Sequence, residues 1–374
     1  MALGGCSSLH DFFGTAPNKR EAEVVVPLSE RPIEEPISAN HFVLESEAQS
    51  IVGVPQVVFT TSGDTLSDLA RAYGLGYDEL VSANPGVDPW LPGENTAVLL
   101  PTQFIIPDVP RQGIVLNIAS KRLFYFPEVP DGQPDIVQTY PIGIGRVGWE
   151  TPLGVTTVVA KAKDPHWYVP LSVRQEHVEL GDPLPSVIPP GPDNPLGHRV
   201  LKLEMPGYLI HGTNQPYGVG MRVSHGCVRL YPENIEYLYE LVEIGESVTI
   251  INEPFLMAQM DGEIYLESHE PLEDDTVGAQ ERLDLLLERW NAVPESGLSG
   301  RDIERAREIA ESAGGVPLRI ESNDDDDALS QVRVVRNAVE TDPDAPTLAE
   351  VREMIDEAVR EADEEDDEPI VQSK

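Results

Sequence analysis

The stretch Ile210-His211-Gly212-Thr213, followed after ten residues by Ser224-His225-Gly226-Cys227-Val228-Arg229-Leu230, decides the reading of this chain. A thiol needs a base within hydrogen-bond reach to become a nucleophilic thiolate near neutral pH. It also needs backbone N–H donors aimed at the oxyanion of a tetrahedral intermediate. Two histidines and one cysteine with flanking glycines supply these parts, and glycine beside the thiol lets the backbone approach a substrate closely. The plainer alternative is a satisfied strand histidine and a small buried thiol.

Outward from this stretch, residues 112–251 alternate short apolar runs with turns. Residues 113–117 and 123–126 read as a hairpin around Ala119-Ser120-Lys121, and 138–144, 154–162, 200–203 and 248–251 also have strand character. Residues 232–242 form the clearest helix, with proline in the first turn and Ile235, Leu238, Tyr239 and Val242 on one face. A mainly β domain with few helices is therefore predicted.

The spacing sharpens the chemistry. Twelve residues separate His211 from Ser224, and Cys227 follows His211 by 16. This pattern, with Gly143–Gly145 and the Thr151-Pro152-Leu153-Gly154 turn, resembles the YkuD-type catalytic domain of L,D-transpeptidases, a β-sandwich, over about 140 residues. The resemblance implies Cys227 as nucleophile and His211 as general base and acid. His225 and Gly226 would shape the nucleophile loop, their amides and that of Cys227 forming the oxyanion hole. Ser224 would support the loop by hydrogen bonding. Some members follow the histidine with an orienting serine, and Gly212 stands there instead, so a backbone carbonyl is the alternative. Arg229 would pair with a substrate carboxylate or with the nearby helix, and Tyr217 and Met221 would line the site. No His/Cys/Asp set has zinc-site spacing, so neither metal nor cofactor is expected.

Residues 56–106 read as strand, helix, helix, strand: a β-like run at 56–60, Leu66, Leu69, Ala70 and Tyr73 at helical spacing, a second helix at 77–84 stopped by Asn84-Pro85-Gly86, and a closing strand near 97–100. This order resembles the LysM module, a small α+β unit that binds N-acetylglucosamine polymers such as peptidoglycan. The resemblance would place Gly63, Asp64 and Thr65 in a sugar groove facing the loop near residues 85–87.

Charge and composition bound the rest. The chain has 374 residues, 65 acidic against 26 basic, a formal charge of −39. A polyanion needs a basic patch, so nucleic acid is excluded as the main partner. The acidity is uneven: residues 112–251 carry a net −5, residues 1–111 a net −10 and residues 256–374 a net −23. The last segment reads as an acidic, partly helical extension. Apolar faces at 279–291, 299–313 and 347–358 suggest helices, and acidic runs at 324–327 and 364–368 repel and extend. A loosely folded solvated tail is expected there, with a docking segment or flap as the alternative.

No run of 18 apolar residues occurs. Of two cysteines, Cys6 lies in Leu3-Gly4-Gly5-Cys6-Ser7-Ser8, which resembles a bacterial lipobox whose cysteine becomes lipidated. Only five residues precede it, and a start further upstream would supply the missing leader. The Pro/Glu-rich stretch 17–55 reads as a tether, so residues 1–55 would be anchor and spacer.

The expectation is a periplasmic, membrane-attached L,D-transpeptidase acting on peptidoglycan tetrapeptide stems. Its acyl acceptor would be another stem, a lysine of an envelope lipoprotein, or water. The alternatives are a hydrolase of the same fold and a peptidoglycan-binding lipoprotein without activity.

Overall fold

The computed structural model describes residues 27–130, 132–292, 297–320 and 332–339. Residues up to Arg31 form a separate unit whose described part contains a single 3-10 turn, Leu28–Glu30. The remainder concerns the unit from Pro32 onward. Cys6, the helix expected at 347–358 and both acidic runs lie outside the described residues.

The larger part of the unit is built on a nine-stranded sheet. Its order is His41–Val43, Ile136–Pro141, Arg122–Phe126, Gly113–Asn117, Ser247–Ile251, Gly154–Lys163, Arg199–Leu203, Leu209–His211 and Val228–Arg229. Neighbours are antiparallel except at two places: Ser247–Ile251 beside Gly113–Asn117, and Val228–Arg229 beside Leu209–His211. Successive strand side chains point to opposite faces. One face contributes Ile114, Leu116, Leu123, Tyr125, Leu201, Ile210 and Val228 to a core that also takes Ile235 and Leu238 of the helix Pro232–Leu241.

The other face of the hairpin is equally apolar, which explains why its strands read as unbroken hydrophobic runs. Val115, Phe124, Phe126 and Val137 pack into a second core with the small N-terminal module. That module is the strand Gln56–Phe59, helices α1 (Leu66–Ala72) and α2 (Tyr77–Ala83), and the strand Ala97–Leu100, in the order read from the sequence. Its Val58, Leu66, Leu69, Leu80 and Leu100 fill its share of that core.

The same junction holds a buried ion pair. Arg122, on the hairpin, donates through Nε and Nη2 to both carboxylate oxygens of Glu79 on α2, at 3.0 and 2.6 Å. The guanidinium also reaches the Thr139 hydroxyl at 3.2 Å and stacks 3.9 Å from the Phe104 ring centroid. Burying each large apolar side chain contributes roughly 1.5–3 kcal/mol, whereas a buried ion pair gains little over an apolar substitute. The apolar face therefore holds the module in place, and the ion pair penalises any docking that leaves one charge alone.

Two expectations need correction. Residues 17–55 do not remain a tether along their whole length. His41–Val43 is an edge strand of the main sheet, Ile51–Gly53 pairs with Gln103–Ile105, and Ala39, Leu44 and Val52 are buried. The apolar residues of those short strands cover sheet edges that would otherwise be open. Nor is the C-terminal third simply a solvated tail. The hairpin Phe255–Met260/Glu263–Ser268 packs against helices α5 (Ala279–Asn291) and α6 (Gly300–Ser312), after α3 (Leu171–Glu179) and α4 (Pro232–Leu241) in chain order. Phe255, Leu266, Leu283, Leu287, Ala306 and Ile309 make a third core, so the expected amphipathic helices find a partner. Further on, Arg333–Val335 adds a parallel strand to the module's Gln56–Phe59.

Arg122→Met is expected to lower the unfolding free energy by about 3–5 kcal/mol, because it strands a buried Glu79 charge. Combining it with Glu79→Leu is expected to recover more than half of that loss. Urea denaturation of the full chain, followed by tryptophan fluorescence, measures both.

Candidate active site

The parallel pairing at the end of the main sheet brings the motif together. Ile210 stands opposite Val228 and His211 opposite Arg229. By strand alternation His211 and Arg229 share a face, and Cys227 immediately precedes the strand Val228–Arg229. His211 is 3% exposed. Its Nδ1 lies 2.6 Å from the Gly212 carbonyl oxygen. A carbonyl only accepts, so Nδ1 carries the proton and the Nε2 lone pair is left for a reacting group. The group that orients His211 is thus a backbone carbonyl.

Burial sets the resting protonation. It pushes His211 down to about 3, with the Arg229 charge acting in the same direction against the Gly212 and Leu196 carbonyls. Burial also pushes the Cys227 thiol up, opposed by the Leu209 backbone amide and by Arg229. The resting pair is a neutral imidazole and a neutral thiol, whose Sγ lies 3.7 Å from the Gly207 carbonyl. Arg229 is held below the usual arginine range by burial, while Cys227 and Tyr217 favour its charge. Its Nε is buried without a hydrogen-bond partner, and no ion pair to Arg229 occurs among the described residues.

The loop that carries Cys227 is closed on itself. The Ser224 hydroxyl donates to the Cys227 carbonyl at 2.5 Å and accepts from the Gly226 amide at 3.2 Å. Ser224 therefore supports the loop as expected, but the Gly226 amide is already engaged, which weakens its place in an oxyanion hole. Gly226 has φ +98°, and a Cβ there would stand 3.0 Å from the Tyr208 ring, so the position accepts only glycine without distortion. The Thr151 hydroxyl donates to the Gly226 carbonyl at 3.0 Å and accepts from the Gly145 amide at 3.2 Å. This gives the Thr151 turn and Gly145 a physical role.

His225 faces another direction. Its Nε2 is 2.7 Å from Glu176 on α3 and 3.1 Å from Arg146, and its ring meets Trp149 edge-on at 4.8 Å between centroids. Arg146 and Glu176 are themselves paired. Burial lowers His225 despite Glu176, so its contact with that carboxylate is a hydrogen bond from a neutral imidazole. His225 thus ties the Cys227 loop to α3. Glu176, Arg146 and Trp149 were not foreseen, and nothing in their spacing marks them, since they join the site only through tertiary contact. Tyr217 is exposed on the turn Pro216–Gly218, and Met221 accepts from the Ile144 amide through its carbonyl at 3.0 Å.

In the small module the nominated residues do mostly local work. Thr65 caps α1 and forms a capping box with Asp68. Asp64 is buried, accepting from the Thr61 amide at 2.6 Å and from Asn337 at 2.7 Å. Gly63 has open space around it. Of the three, Gly63 alone is exposed, Asp64 being buried and Thr65 half-buried.

Residues 111–250 match the YkuD family model, an L,D-transpeptidase catalytic domain, and residues 60–89 match the LysM domain. The chain is 36% identical to the probable L,D-transpeptidase YcfS of Escherichia coli K12, over 76% of this chain and 89% of that protein. It is 36% identical to the probable L,D-transpeptidase ErfK/SrfK of Salmonella typhimurium, over 75% and 90%. It is 41% identical to the probable L,D-transpeptidase YbiS of E. coli K12, over 63% and 76%. The catalytic domain of an Enterococcus faecium L,D-transpeptidase, solved by NMR, aligns at 22% identity with a TM-score of 0.29, over 39% of this chain and 100% of that chain. From its sequence relatives and its matched domains, the chain belongs to the L,D-transpeptidase family, with a YkuD-type catalytic domain beside a LysM domain.

Proposed function

We propose that the chain transfers the acyl group of peptidoglycan tetrapeptide stems through a thioester on Cys227, in the periplasm. The observation that carries this reading is the parallel pairing that sets His211 opposite Arg229, two residues after Cys227, with the His211 tautomer fixed by the Gly212 carbonyl.

The Cys227 sulfur attacks the carbonyl of the third stem residue while its proton passes to Nε2 of His211. The amide of Cys227 stabilises the oxyanion. The C–N bond to D-alanine breaks, and His211 returns the proton to the leaving amine. An acceptor amine then attacks the thioester, losing its proton to His211, and the C–S bond breaks to regenerate the thiol. A second stem as acceptor gives a 3→3 cross-link, a lysine of an envelope protein gives attachment, and water gives hydrolysis. Arg229, buried with an unpartnered Nε, suits a stem carboxylate, because a buried charge gains most from an ionic hydrogen bond. The LysM domain holds the glycan.

Incubation with tetrapeptide muropeptides, followed by mass spectrometry, tests the assignment. Wild type is expected to release D-alanine and form dimers, and Cys227→Ala to do neither. Arg229→Gln is expected to raise KM about tenfold or more, from an ionic hydrogen bond of about 1.5–3 kcal/mol. A stem amidated at its carboxylate should remove that difference. Undiminished turnover by Cys227→Ala sinks the mechanism.

The lowered His211 fixes a sign for pH. A base already neutral at mildly acidic pH places the acid limb of kcat/KM well below the ordinary histidine value of about 6.5. An acid limb near 6.5 contradicts the neutral pair. The same shift makes acid destabilising: the unfolded histidine takes up a proton below about 6.5 and the folded one only near 3, so its contribution to stability is lost as pH falls through that window.

Cell fractionation tests location. With lipid on Cys6, the protein is expected in the membrane fraction of the envelope, and Cys6→Ser in the soluble periplasm. Recovery of both from the cytoplasm contradicts the placement.

A further inference from the structure

The sequence assigns the acidic C-terminal third no part in the chemistry, yet one of its carboxylates pairs with the strand that leads into the Cys227 loop. Asp274 lies just after the hairpin Phe255–Met260/Glu263–Ser268, and its Oδ2 is 2.8 Å from Nη2 of Arg222. Arg222 belongs to the short strand Arg222–Ser224 that leads into the nucleophile loop. Its Nε donates to the Gly145 carbonyl at 3.2 Å. The amide of the same Gly145 donates to the Thr151 hydroxyl at 3.2 Å, and that hydroxyl donates to the Gly226 carbonyl at 3.0 Å. Gly226 precedes Cys227. An unbroken chain of polar contacts thus runs from the C-terminal extension to the residue next to the thiol.

Two further features make the link consequential. Nη1 of Arg222 is buried and has no hydrogen-bond partner, and Asp274 is the carboxylate in ion-pair contact with this guanidinium among the described residues. Asp274 is also held firmly from behind. The neighbouring Asp275 accepts from Nε and Nη2 of Arg282 at 2.5 and 2.8 Å and from Asn252 at 3.1 Å, while Leu272 packs against the catalytic core. Pairing with Arg222 holds the Asp274 carboxyl below the usual carboxylate range, so it stays charged at neutral pH.

We propose that Asp274 is a positioning residue for transpeptidation: through Arg222, Gly145 and Thr151 the C-terminal extension sets the conformation of the loop that presents Cys227. This rests on Cys227 being the nucleophile. Removing the carboxylate takes the ion-pair partner from a partly buried guanidinium beside Gly145, and a displacement of about 1 Å in a reacting group can cost on the order of 100-fold in rate.

The test uses the full chain. Asp274→Ala is expected to lower kcat for D-alanine release about 10- to 100-fold, with KM within about twofold of wild type and no matching loss of thermal stability. Asp274→Glu should restore most of the rate. Alkylation of Cys227 by iodoacetamide, followed by peptide mass spectrometry, reads the loop without any peptidoglycan substrate. It should change in Asp274→Ala and return in Asp274→Glu. If Asp274→Ala misfolds, Asp274→Asn, which keeps the shape and loses the charge, replaces it. Wild-type kcat and alkylation in the folded variant overturn the proposal. So does a rate loss that tracks unfolding and is not rescued by glutamate. A wild-type chain that releases no D-alanine counts against the transpeptidase substrate, and the alkylation comparison still decides the loop.

Discussion

The parallel pairing of Leu209–His211 with Val228–Arg229 is the constraint on which the site depends. Parallel neighbours in one sheet need a crossover between them, and here that crossover is the segment from Gly212 to Cys227. It must leave one strand at the histidine and enter the next at the cysteine. The sixteen-residue interval between His211 and Cys227 is the length of chain that makes this return. Once the pairing forms, alternation places His211 and Arg229 on one face, and the crossover ends at Cys227 two residues before Arg229. The loop hydrogen bonds of Ser224 and Thr151 then fix how the thiol is presented.

The second constraint is burial on both faces of the hairpin. A LysM domain swinging on a linker would leave Val115, Phe124 and Phe126 in water, so here it is part of the catalytic body. Its contact continues to the site's border. A Cβ on Gly220 would lie 2.4 Å from the Gly76 Cα, and the Tyr77 amide donates to the Val219 carbonyl at 3.2 Å. The module thus rests backbone to backbone on the segment that carries Tyr217 and Met221. A glycan held by it would be registered against the catalytic face rather than merely kept nearby.

Local features were legible in the sequence, and distant pairings were not. The hairpin around Ala119-Ser120-Lys121, the helix after Tyr231 and the strand–helix–helix–strand order of the module are written in periodicity and turn residues, and they occur as read. The catalytic motif was readable because its parts lie close together in the chain. Arg122 and Glu79 are 43 residues apart, His225 and Glu176 49, Arg222 and Asp274 52. No spacing rule links charges at such separations, because each pair is defined by two elements that meet only in the folded chain. The stretch 32–55 misled for a related reason: its prolines and glutamates suggest a spacer, while the few apolar residues between them are enough to close sheet edges. Net charge misled about the extension, since helices with an acidic outer face still bury Leu283, Leu287 and Ile309.

In the proposed reaction, acyl transfer passes through Cys227. Intact-protein mass spectrometry of the full chain, quenched in acid soon after mixing with a tetrapeptide muropeptide and then mapped by peptide, tests it most directly. The account predicts a transient adduct with the mass of the substrate less D-alanine, located on the peptide carrying Cys227 and discharged when an acceptor amine is added. Release of D-alanine with no adduct on that peptide, or an adduct on any other residue, would contradict it.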